Sequence, residues 1–197
     1  MINTEEVIRF FDRLAPGWDS SIFRNDAVVS AILDNAKVTE GKDILDVACG
    51  TGVLIPDYLD RRVASVTAID ISPKMAEIAR SKFPQQNVTV LCGDVEKMDT
   101  EQRFDCIVVY NALPHFPDAE NLIRHLASLL KPGGILTAAH GMSREKINAH
   151  HHETAQAVSN GLISAEDLAG IFSKYLNVTT VLSTPLMYQV AGERNSL

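Results

Sequence analysis

The sequence has no excess of basic residues and no long apolar run, and each absence excludes a class of protein. Lys and Arg number 18 against 25 Asp and Glu, which gives a formal net charge of −7 at pH 7. Because binding to phosphates needs a basic face, we expect no nucleic-acid partner. No apolar run approaches the roughly 18–20 residues of a transmembrane helix, so we expect no integral membrane segment.

The first residues carry no positive region of the kind that begins a secretory signal peptide. Glu5 and Glu6 stand there instead, and we predict a cytoplasmic protein. Cysteine is also scarce. Cys49, Cys92 and Cys106 form no Cys-x-x-Cys pair, and each lies in or beside an apolar strand-like run, which predicts buried, reduced thiols.

Internal repeats, low-complexity stretches and Ser/Pro-rich linkers are missing as well. A chain of 197 residues with 46% hydrophobic content can form one sizeable core. We therefore predict a single domain over residues 1–197 that opens with lid helices at about 4–36. The sequence leaves open whether the chain forms a homodimer.

Short apolar runs alternate with helical segments through the rest of the chain. The predicted strands are Ile44–Val47, Val66–Asp70, Val88–Leu91, Phe104–Tyr110, Ile135–Ala139, Asn177–Ser183 and Leu186–Val190. Strands separated by helices predict a mostly parallel sheet with both faces covered. The short turn between the last two strands predicts an antiparallel hairpin.

Capping residues and turn residues mark the predicted ends of the helices. The predicted caps are Thr4, Ser72, Asp118, Ser143 and Ser164. Lys131–Gly134 predicts a turn that stops one helix and leads into the fifth strand. In sheets of this kind ligands bind beyond the carboxyl ends of the strands, so functional residues are expected there.

The strongest functional signal is the segment Asp46–Gly52, in which an acid closes the first strand and a glycine-rich turn follows. Gly50 and Gly52 allow the backbone to approach a ligand closely. Asp70 ends the second strand and suits a ribose diol, and Asp94 follows the third. Three acids at neighbouring strand ends suit a cationic ligand that bears an ammonium and a ribose, and they repel a pyrophosphate.

Two other interpretations of these residues compete with this one. A nicotinamide-dependent oxidoreductase needs Gly-x-Gly-x-x-Gly, and Ile55 stands at the third glycine when the pattern starts at Gly50. Taken singly, each acid is an ordinary solvated carboxylate and each glycine part of a tight turn. The ordered series favours a binding site.

These motifs resemble the class I S-adenosylmethionine (SAM)-dependent methyltransferases of the small-molecule branch. The chain is similar to the ubiquinone/menaquinone-biosynthesis C-methyltransferase group in Asp46–Gly52, Phe11–Asp19, Gly93–Asp94, Phe104–Asn111 and Leu130–Gly134. The resemblance implies a Rossmann-like three-layer α/β sandwich with a seven-stranded, mostly parallel sheet of order 3-2-1-4-5-7-6 and an antiparallel last strand. It also implies SAM as cofactor and methyl transfer to a small-molecule acceptor, with a non-catalytic SAM-binding protein as the alternative.

The resemblance further implies a set of cofactor-binding residues. This set consists of Asp46, Ala48, Gly50, Gly52, Asp70, Ile71, Met75, Asp94, Val95 and Asn111. Within it, Asp46 would hold the methionine end of SAM, Asp70 the ribose hydroxyls and Asp94 the adenine amino group. Asn111 would lie near the methyl group that is transferred.

Histidines supply the candidates for chemistry on the acceptor. Methyl transfer from a sulfonium is an in-line displacement, and a base is needed only where the acceptor must lose a proton. His115, just after the fourth strand, is the first candidate base or substrate contact; the alternative is a structural histidine bonded to a carbonyl. His140 and His151 complete the candidate catalytic set.

His151 belongs to a histidine-rich segment at about 141–162, which departs from the expected family pattern. It predicts a helix that begins after Ser143 and lies over the cofactor mouth as a lid. The side chains of His150–His152 fan about 100° apart on a helix, so they cannot all bind one ion. A substrate-facing lid, a solvated helix and a metal site that joins two of these histidines with His115, His140 or Glu153 stay open, and no metal residue is assigned.

Overall fold

The computed structural model describes residues 2–195 of the chain. The strands are β1 (Asp43–Val47), β2 (Ser65–Asp70), β3 (Val88–Cys92), β4 (Phe104–Tyr110), β5 (Leu130–His140), β6 (Asn177–Ser183) and β7 (Tyr188–Glu193). The helices are α1 (Thr4–Leu14), α2 (Trp18–Ser21), α3 (Asp26–Asn35), α4 (Ile55–Asp60), α5 (Pro73–Lys82), α6 (Ala119–Ser128), α7 (Arg144–Thr154) and α8 (Ala165–Phe172).

The strands form a seven-stranded sheet of order β3-β2-β1-β4-β5-β7-β6. Strands β1 to β5 pair in parallel, and β7 runs antiparallel to both β5 and β6. The predicted α/β class, strand order and closing hairpin are therefore confirmed. The order reverses between β1 and β4, which is where such sheets open a crevice for ligands.

Each face of the sheet is covered by its own layer of helices. Alternate residues of β1 point to opposite faces: Leu45 packs in a core with α6, α7 and α8, and Ile44 in a core with α3, α4 and α5. Both residues are fully buried. Within residues 2–195, none of the helices combines the length and apolar character that a bilayer crossing requires.

Four of the five predicted helix caps are confirmed, and one is shifted by a residue. The side chains of Ser72, Asp118, Ser143 and Ser164 each accept a backbone N–H bond in the first turn of a helix. At α1 the cap is Asn3 instead of Thr4. Its Oδ1 accepts from the amide of Glu5 at 2.8 Å, because an asparagine amide reaches the second helical residue as readily as a threonine hydroxyl does.

Two predicted segments around the closing strands differ from the structure. Lys131–Gly134 belongs to β5 instead of forming a separate turn, since Gly133 and Gly134 exchange backbone hydrogen bonds with Arg194 near the end of the chain. The last strand begins at Tyr188, two residues later than predicted. Leu186 lies in the preceding turn, where its backbone N–H donates a hydrogen bond to the hydroxyl of Thr184.

The prediction of three buried thiols is correct for Cys49 and Cys106 and wrong for Cys92. Cys92 ends β3, which is an edge strand of the sheet, so part of its surroundings is solvent. An apolar run on an edge strand therefore does not guarantee burial on both faces.

The N-terminal helices divide into two groups with different surroundings. Residues of α1 and α2 line the cleft described below, as a lid would. The predicted lid also included α3, but Val29 and Leu33 of α3 are fully buried against the sheet. Helix α3 therefore belongs to the helix layer that covers the sheet, because its apolar face is buried in the core.

Candidate functional site

A cleft of about 1130 Å³, including its open mouth, lies at the carboxyl ends of β1, β2, β3 and β4. Most of the predicted cofactor-binding residues line it together: Asp46, Ala48, Gly50, Asp70, Ile71, Met75, Asp94, Val95 and Asn111. His115 lines it too. Of the predicted site residues, Gly52, His140 and His151 do not line this cleft.

Asp46 is the most deeply placed acid of the cleft. It lies in β1, one residue before the end of the strand, with only 2% of its surface exposed, and its Oδ2 atom has no hydrogen-bond partner among the described residues. Burial raises the pKa of Asp46 to about 8. The neighbouring Tyr58 hydroxyl partly offsets this rise. A buried carboxylate oxygen without a donor, such as Oδ2, is costly, so this position favours a ligand that brings a cationic donor.

Asp70 organises the two loops that follow β1 and β2. Its Oδ2 accepts from the amide of Gly50 at 2.8 Å, and its Oδ1 accepts from the amide of Ser72 at 2.8 Å. Burial raises the pKa of Asp70 to about 6. Each carboxylate oxygen still has a second lone pair, so the side chain can hold the glycine turn and accept ligand hydroxyls at the same time.

Asp94 is the most solvent-exposed of the three acids. It caps the 3-10 turn Val95–Lys97, where its Oδ1 accepts from the amide of Glu96 at 3.1 Å. Its Oδ2 lies 3.0 Å from the exposed ammonium of Lys97. Glu96 also lines the cleft, although its position after Asp94 gave no separate signal in the sequence.

Two residues other than glycine adopt left-handed backbone conformations at the cleft. Ala48 follows β1 with φ 53°, and Asn111 follows β4 with φ 54°. This conformation is uncommon for residues with a Cβ and is found more often at functional sites. The amide Oδ1 of Asn111 accepts from the backbone of Gly141 at 3.0 Å, so Asn111 also ties the ends of β4 and β5 together.

Gly52 serves the packing of the glycine turn. It has φ +85°, and a Cβ built on it would lie 2.6 Å from the ring of Phe83 and 2.9 Å from Ile55. We therefore expect Gly52→Ala to lower the free energy of unfolding by about 1–3 kcal/mol, through backbone strain and overpacking. Denaturant unfolding followed by circular dichroism measures this.

Gly170 provides the matched control for this substitution. It lies in α8 with no heavy atom within 4 Å of a built Cβ. There, Gly→Ala should stabilise the protein by roughly 0.5–1 kcal/mol. Equal effects of the two substitutions would show that Gly52 is not constrained by its conformation and its neighbours.

Aromatic residues of the N-terminal segment form the outer wall of the cleft. Phe11 of α1 and Trp18 of α2 both line it, and their rings meet edge to face at 5.8 Å between centroids. Tyr110 lines the cleft from the end of β4. The motif around Phe11 and Trp18 was visible in the sequence, but nothing in the sequence indicated which side chains face the ligand.

Polar contacts hold this segment against the cofactor-side loops. The carboxylate of Asp12 accepts from groups at the start of α5. The carboxylate of Asp19 accepts from the hydroxyl of Thr51 in the glycine turn. The guanidinium of Arg24 donates to the carbonyl of Val53 at 3.0 Å. Because these contacts lie along one side of the cleft, the segment can exclude water from a bound ligand.

His115 has the geometry of a proton acceptor that faces the cleft. Its Nδ1 lies 2.8 Å from the carbonyl oxygen of Val158, and since a carbonyl only accepts, Nδ1 carries the proton and Nε2 carries the lone pair. Burial lowers the pKa of His115, so the ring is neutral near pH 7. Phe11 packs on it edge to face at 5.0 Å between ring centroids.

No residue of the histidine-rich segment lines the cleft, but the segment packs against residues that do. The ring of His151 in α7 packs on that of His115, 4.9 Å between centroids. His140 is 1% exposed at the end of β5, and neither ring nitrogen has a hydrogen-bond partner among the described residues. Neither His140 nor His151 lines the cleft, which argues against contact with a ligand there.

Burial also decides the protonation of these two histidines. It lowers the pKa of His140 to about 3 and that of His151 to about 4, so both rings are neutral near pH 7. Within residues 2–195, no group of three or more His, Cys, Asp or Glu side chains is arranged to hold a metal ion.

The arrangement fits a SAM-like ligand on three structural grounds. Asp46 offers a buried acceptor without a donor, Asp70 is held by two amides at the neighbouring strand end, and the glycine turn leaves the backbone accessible. Ile71 and Met75 supply apolar surface beside Asp70. The cleft is thus acidic where an ammonium and a ribose diol would lie, and apolar where a base would stack.

Comparison with known proteins agrees with this geometry. Residues 44–134 match the family model described as a methyltransferase domain. This match contains the glycine turn, Asp70, Asp94 and Asn111. The chain contains a domain of the methyltransferase family.

Two curated relatives of this chain are named O-methyltransferases. The ubiquinone biosynthesis O-methyltransferase of Coxiella burnetii is 32% identical over 143 residues, which is 68% of this chain and 61% of the relative. The malonyl-[acyl-carrier protein] O-methyltransferase of Acetivibrio thermocellus is 34% identical over 139 residues, 69% of this chain and 49% of the relative. The match therefore spans only about half to three-fifths of these relatives' lengths.

A solved structure shares the whole fold. The N-methyltransferase NodS of Bradyrhizobium japonicum in complex with S-adenosylhomocysteine (SAH) superposes with a TM-score of 0.72 and covers 98% of both chains. The two sequences are 17% identical. At that identity the likeness establishes the fold alone.

Proposed function

We propose that the protein is a SAM-dependent methyltransferase that acts on a small molecule. The observation that carries the proposal is the convergence of Asp46, Gly50, Asp70 and Asp94 on one cleft. The methyltransferase domain match and the SAH-bound fold neighbour support it. In this proposal Asp46 holds the ammonium of the methionine end, and Asp70 accepts from the ribose hydroxyls.

The acceptor is a molecule small enough to enter the remaining part of the cleft. That part is walled by Phe11, Trp18, Phe116 and Pro117, which together offer an apolar and aromatic surface. The carboxylates deeper in the cleft disfavour an anionic acceptor by like-charge repulsion. We therefore infer an uncharged acceptor of aromatic or apolar character.

His115 acts as the base in this proposal. The bound cofactor supplies the methyl group and the leaving group. The chain's residues align the acceptor, exclude water and take up its proton. Since Nδ1 of His115 donates to the carbonyl of Val158, Nε2 is free to accept a proton from an acceptor hydroxyl. An oxygen nucleophile agrees with the names of the two curated relatives.

Ligand binding and turnover test the proposal separately. SAH should raise the melting temperature of the protein, whereas NAD should not, because only a ligand that binds the folded chain stabilises it. Trp18 is the single tryptophan and lines the cleft, so its fluorescence reports SAH binding directly. Asp70→Ala should weaken that binding strongly; an unchanged Kd would refute the ribose assignment.

Turnover is tested by incubating the protein with labelled SAM and a metabolite extract. A labelled small-molecule product is expected. If SAH binds but no product forms in extracts from several sources, the alternative of a non-catalytic SAM-binding protein gains support. A melting temperature raised by NAD but not by SAH would instead favour an oxidoreductase.

A further inference from the structure

Residues 113–117 form one wall of the cleft, the His115 wall. Several of its backbone carbonyl groups accept no hydrogen bond from within the turn. The 3-10 turn Leu113–His115 and the two residues after it contain Pro114 and Pro117, which have no N–H to donate. The amides of His115 and Phe116 donate within the turn, to Ala112 and Leu113. The carbonyl groups of Pro114, Phe116 and Pro117 are therefore open to donors from other segments.

Asn160 supplies those donors. Its backbone N–H donates to the carbonyl of Pro114 at 2.9 Å. Its side-chain Nδ2 donates to the carbonyls of Phe116 at 3.3 Å and Pro117 at 3.2 Å. The backbone and side-chain nitrogens of Asn160 thus both donate to carbonyls of this wall. The carbonyl of Val158, two residues earlier, accepts from His115.

Helix α7 fixes the position of this short segment. The side-chain amide of Asn148 accepts from the Leu162 amide at 2.6 Å and donates to the Leu162 carbonyl at 3.1 Å. Arg144 donates to the same carbonyl at 2.9 Å. The hydroxyl of Ser159 accepts from the backbone amide of Gly161 and is hydrogen-bonded to Nδ1 of His151 at 2.8 Å.

We propose that Asn160 is a positioning residue that holds the His115 wall in the geometry required for proton transfer. The proposal rests on the proposed role of His115 as the base. It also gives the histidine-rich region a role other than a lid, since α7 and residues 158–162 support the wall. A misplacement of reacting groups by about 1 Å can cost on the order of 100-fold in rate, which is the scale on which such a support acts.

Asn160→Asp tests the proposal with almost no change of shape. It replaces the side-chain donor with a carboxylate that faces two carbonyl oxygens, and these repel it. We expect turnover to fall about 10- to 100-fold, with the Kd for SAH changed less than threefold. Asn177→Asp, on the edge strand β6 and away from the cleft, is the matched control and should leave both quantities unchanged.

The pKa of His115, measured by NMR titration of its ring, gives a readout that does not depend on turnover. Loosening the wall exposes the ring and adds a negative charge nearby, so the pKa should rise in Asn160→Asp. His140 and His151 are the titratable groups that face it from β5 and α7, and they should keep their own values. Asn160→Ala, which adds no charge, should give a smaller rise.

The outcomes separate this proposal from the proposed function. If His115 keeps its pKa and ring tautomer in both variants, or if turnover is unchanged, Asn160 does not position the wall. If the wild-type protein has no methyltransferase activity but the His115 pKa rises in the variants as expected, the positioning is upheld and the proposed function fails. If Asn160→Asp does not fold, the turnover and the His115 pKa of Asn160→Ala provide the same test.

Discussion

Replacing His115 with asparagine should lower turnover by about 10²–10⁴-fold, the usual contribution of a positioned general base. The asparagine Nδ2 can still donate to the carbonyl of Val158, as Nδ1 of His115 does. The wall of the cleft should therefore keep its shape while the proton acceptor Nε2 is lost. Steady-state kinetics should show the loss in kcat, and Trp18 fluorescence should show an almost unchanged Kd for SAH.

The pH dependence of the wild-type reaction should report the same group. His115 accepts a proton only when neutral, and burial lowers its pKa below the usual value of about 6.5. With SAM saturating, so that Asp46 and Asp70 are already paired with the ligand, kcat should thus rise with pH through a midpoint below about 6.5 and be level near neutrality. An asparagine side chain does not titrate in this range, so the His115→Asn variant should lack the acidic limb.

His152→Asn is the control for this experiment. His152 is exposed on α7 and does not line the cleft, so its replacement should change neither kcat nor the pH profile. A His115→Asn variant whose turnover stays within threefold of the wild type would remove the base from the mechanism.

The sequence predicted the parts of the site that depend on local order along the chain. Asp46, Asp70 and Asp94 each lie at or just beyond the carboxyl end of a strand, and parallel strands bring these ends to one edge. That reasoning needs only the strand assignment, and the structure brings all three acids to one cleft. The glycine turn was identified for the same reason, because its residues are neighbours in sequence.

Contacts between distant segments could not be predicted in this way. The position of α7 depends on Asn148 and Arg144 binding Leu162 and on His151 packing against His115, which no local pattern encodes. A run of histidines suggested a lid with ligand contacts, whereas none of these histidines lines the cleft. Ala48 is a similar case, since its positive φ follows from the turn around it and not from its residue type.

Asp46→Asn should weaken SAH binding by about 10²–10⁴-fold and at the same time stabilise the free protein at alkaline pH. The loss of affinity follows from breaking a buried ion pair with the ligand ammonium, which costs on the order of 3–5 kcal/mol. Asparagine keeps the shape of the side chain but not the charge. Trp18 fluorescence and calorimetry with SAH measure the change.

The gain in stability follows from the raised pKa of about 8 for Asp46. The pKa of an unfolded aspartate is about 3.9. Between about pH 3.9 and pH 8 the folded chain therefore binds one proton more than the unfolded chain, so the free energy of unfolding falls as the pH rises from about 3.9 towards 8. Removing the ionisable group should recover about 1–3 kcal/mol above pH 8. Thermal unfolding should show a melting temperature roughly 2–10 °C higher than that of the wild type.

Asp43, at the opposite end of β1, is the matched control. The ammonium of Lys131 lowers the pKa of Asp43, so Asp43→Asn should give a small loss of stability at neutral pH and no change in SAH affinity. The wild-type protein should also release about one proton on binding SAH below pH 7, as ionised Asp46 pairs with the ammonium. Calorimetry in buffers of different ionisation enthalpy detects that proton, and a release that persists in Asp46→Asn would assign it to another group of the cleft.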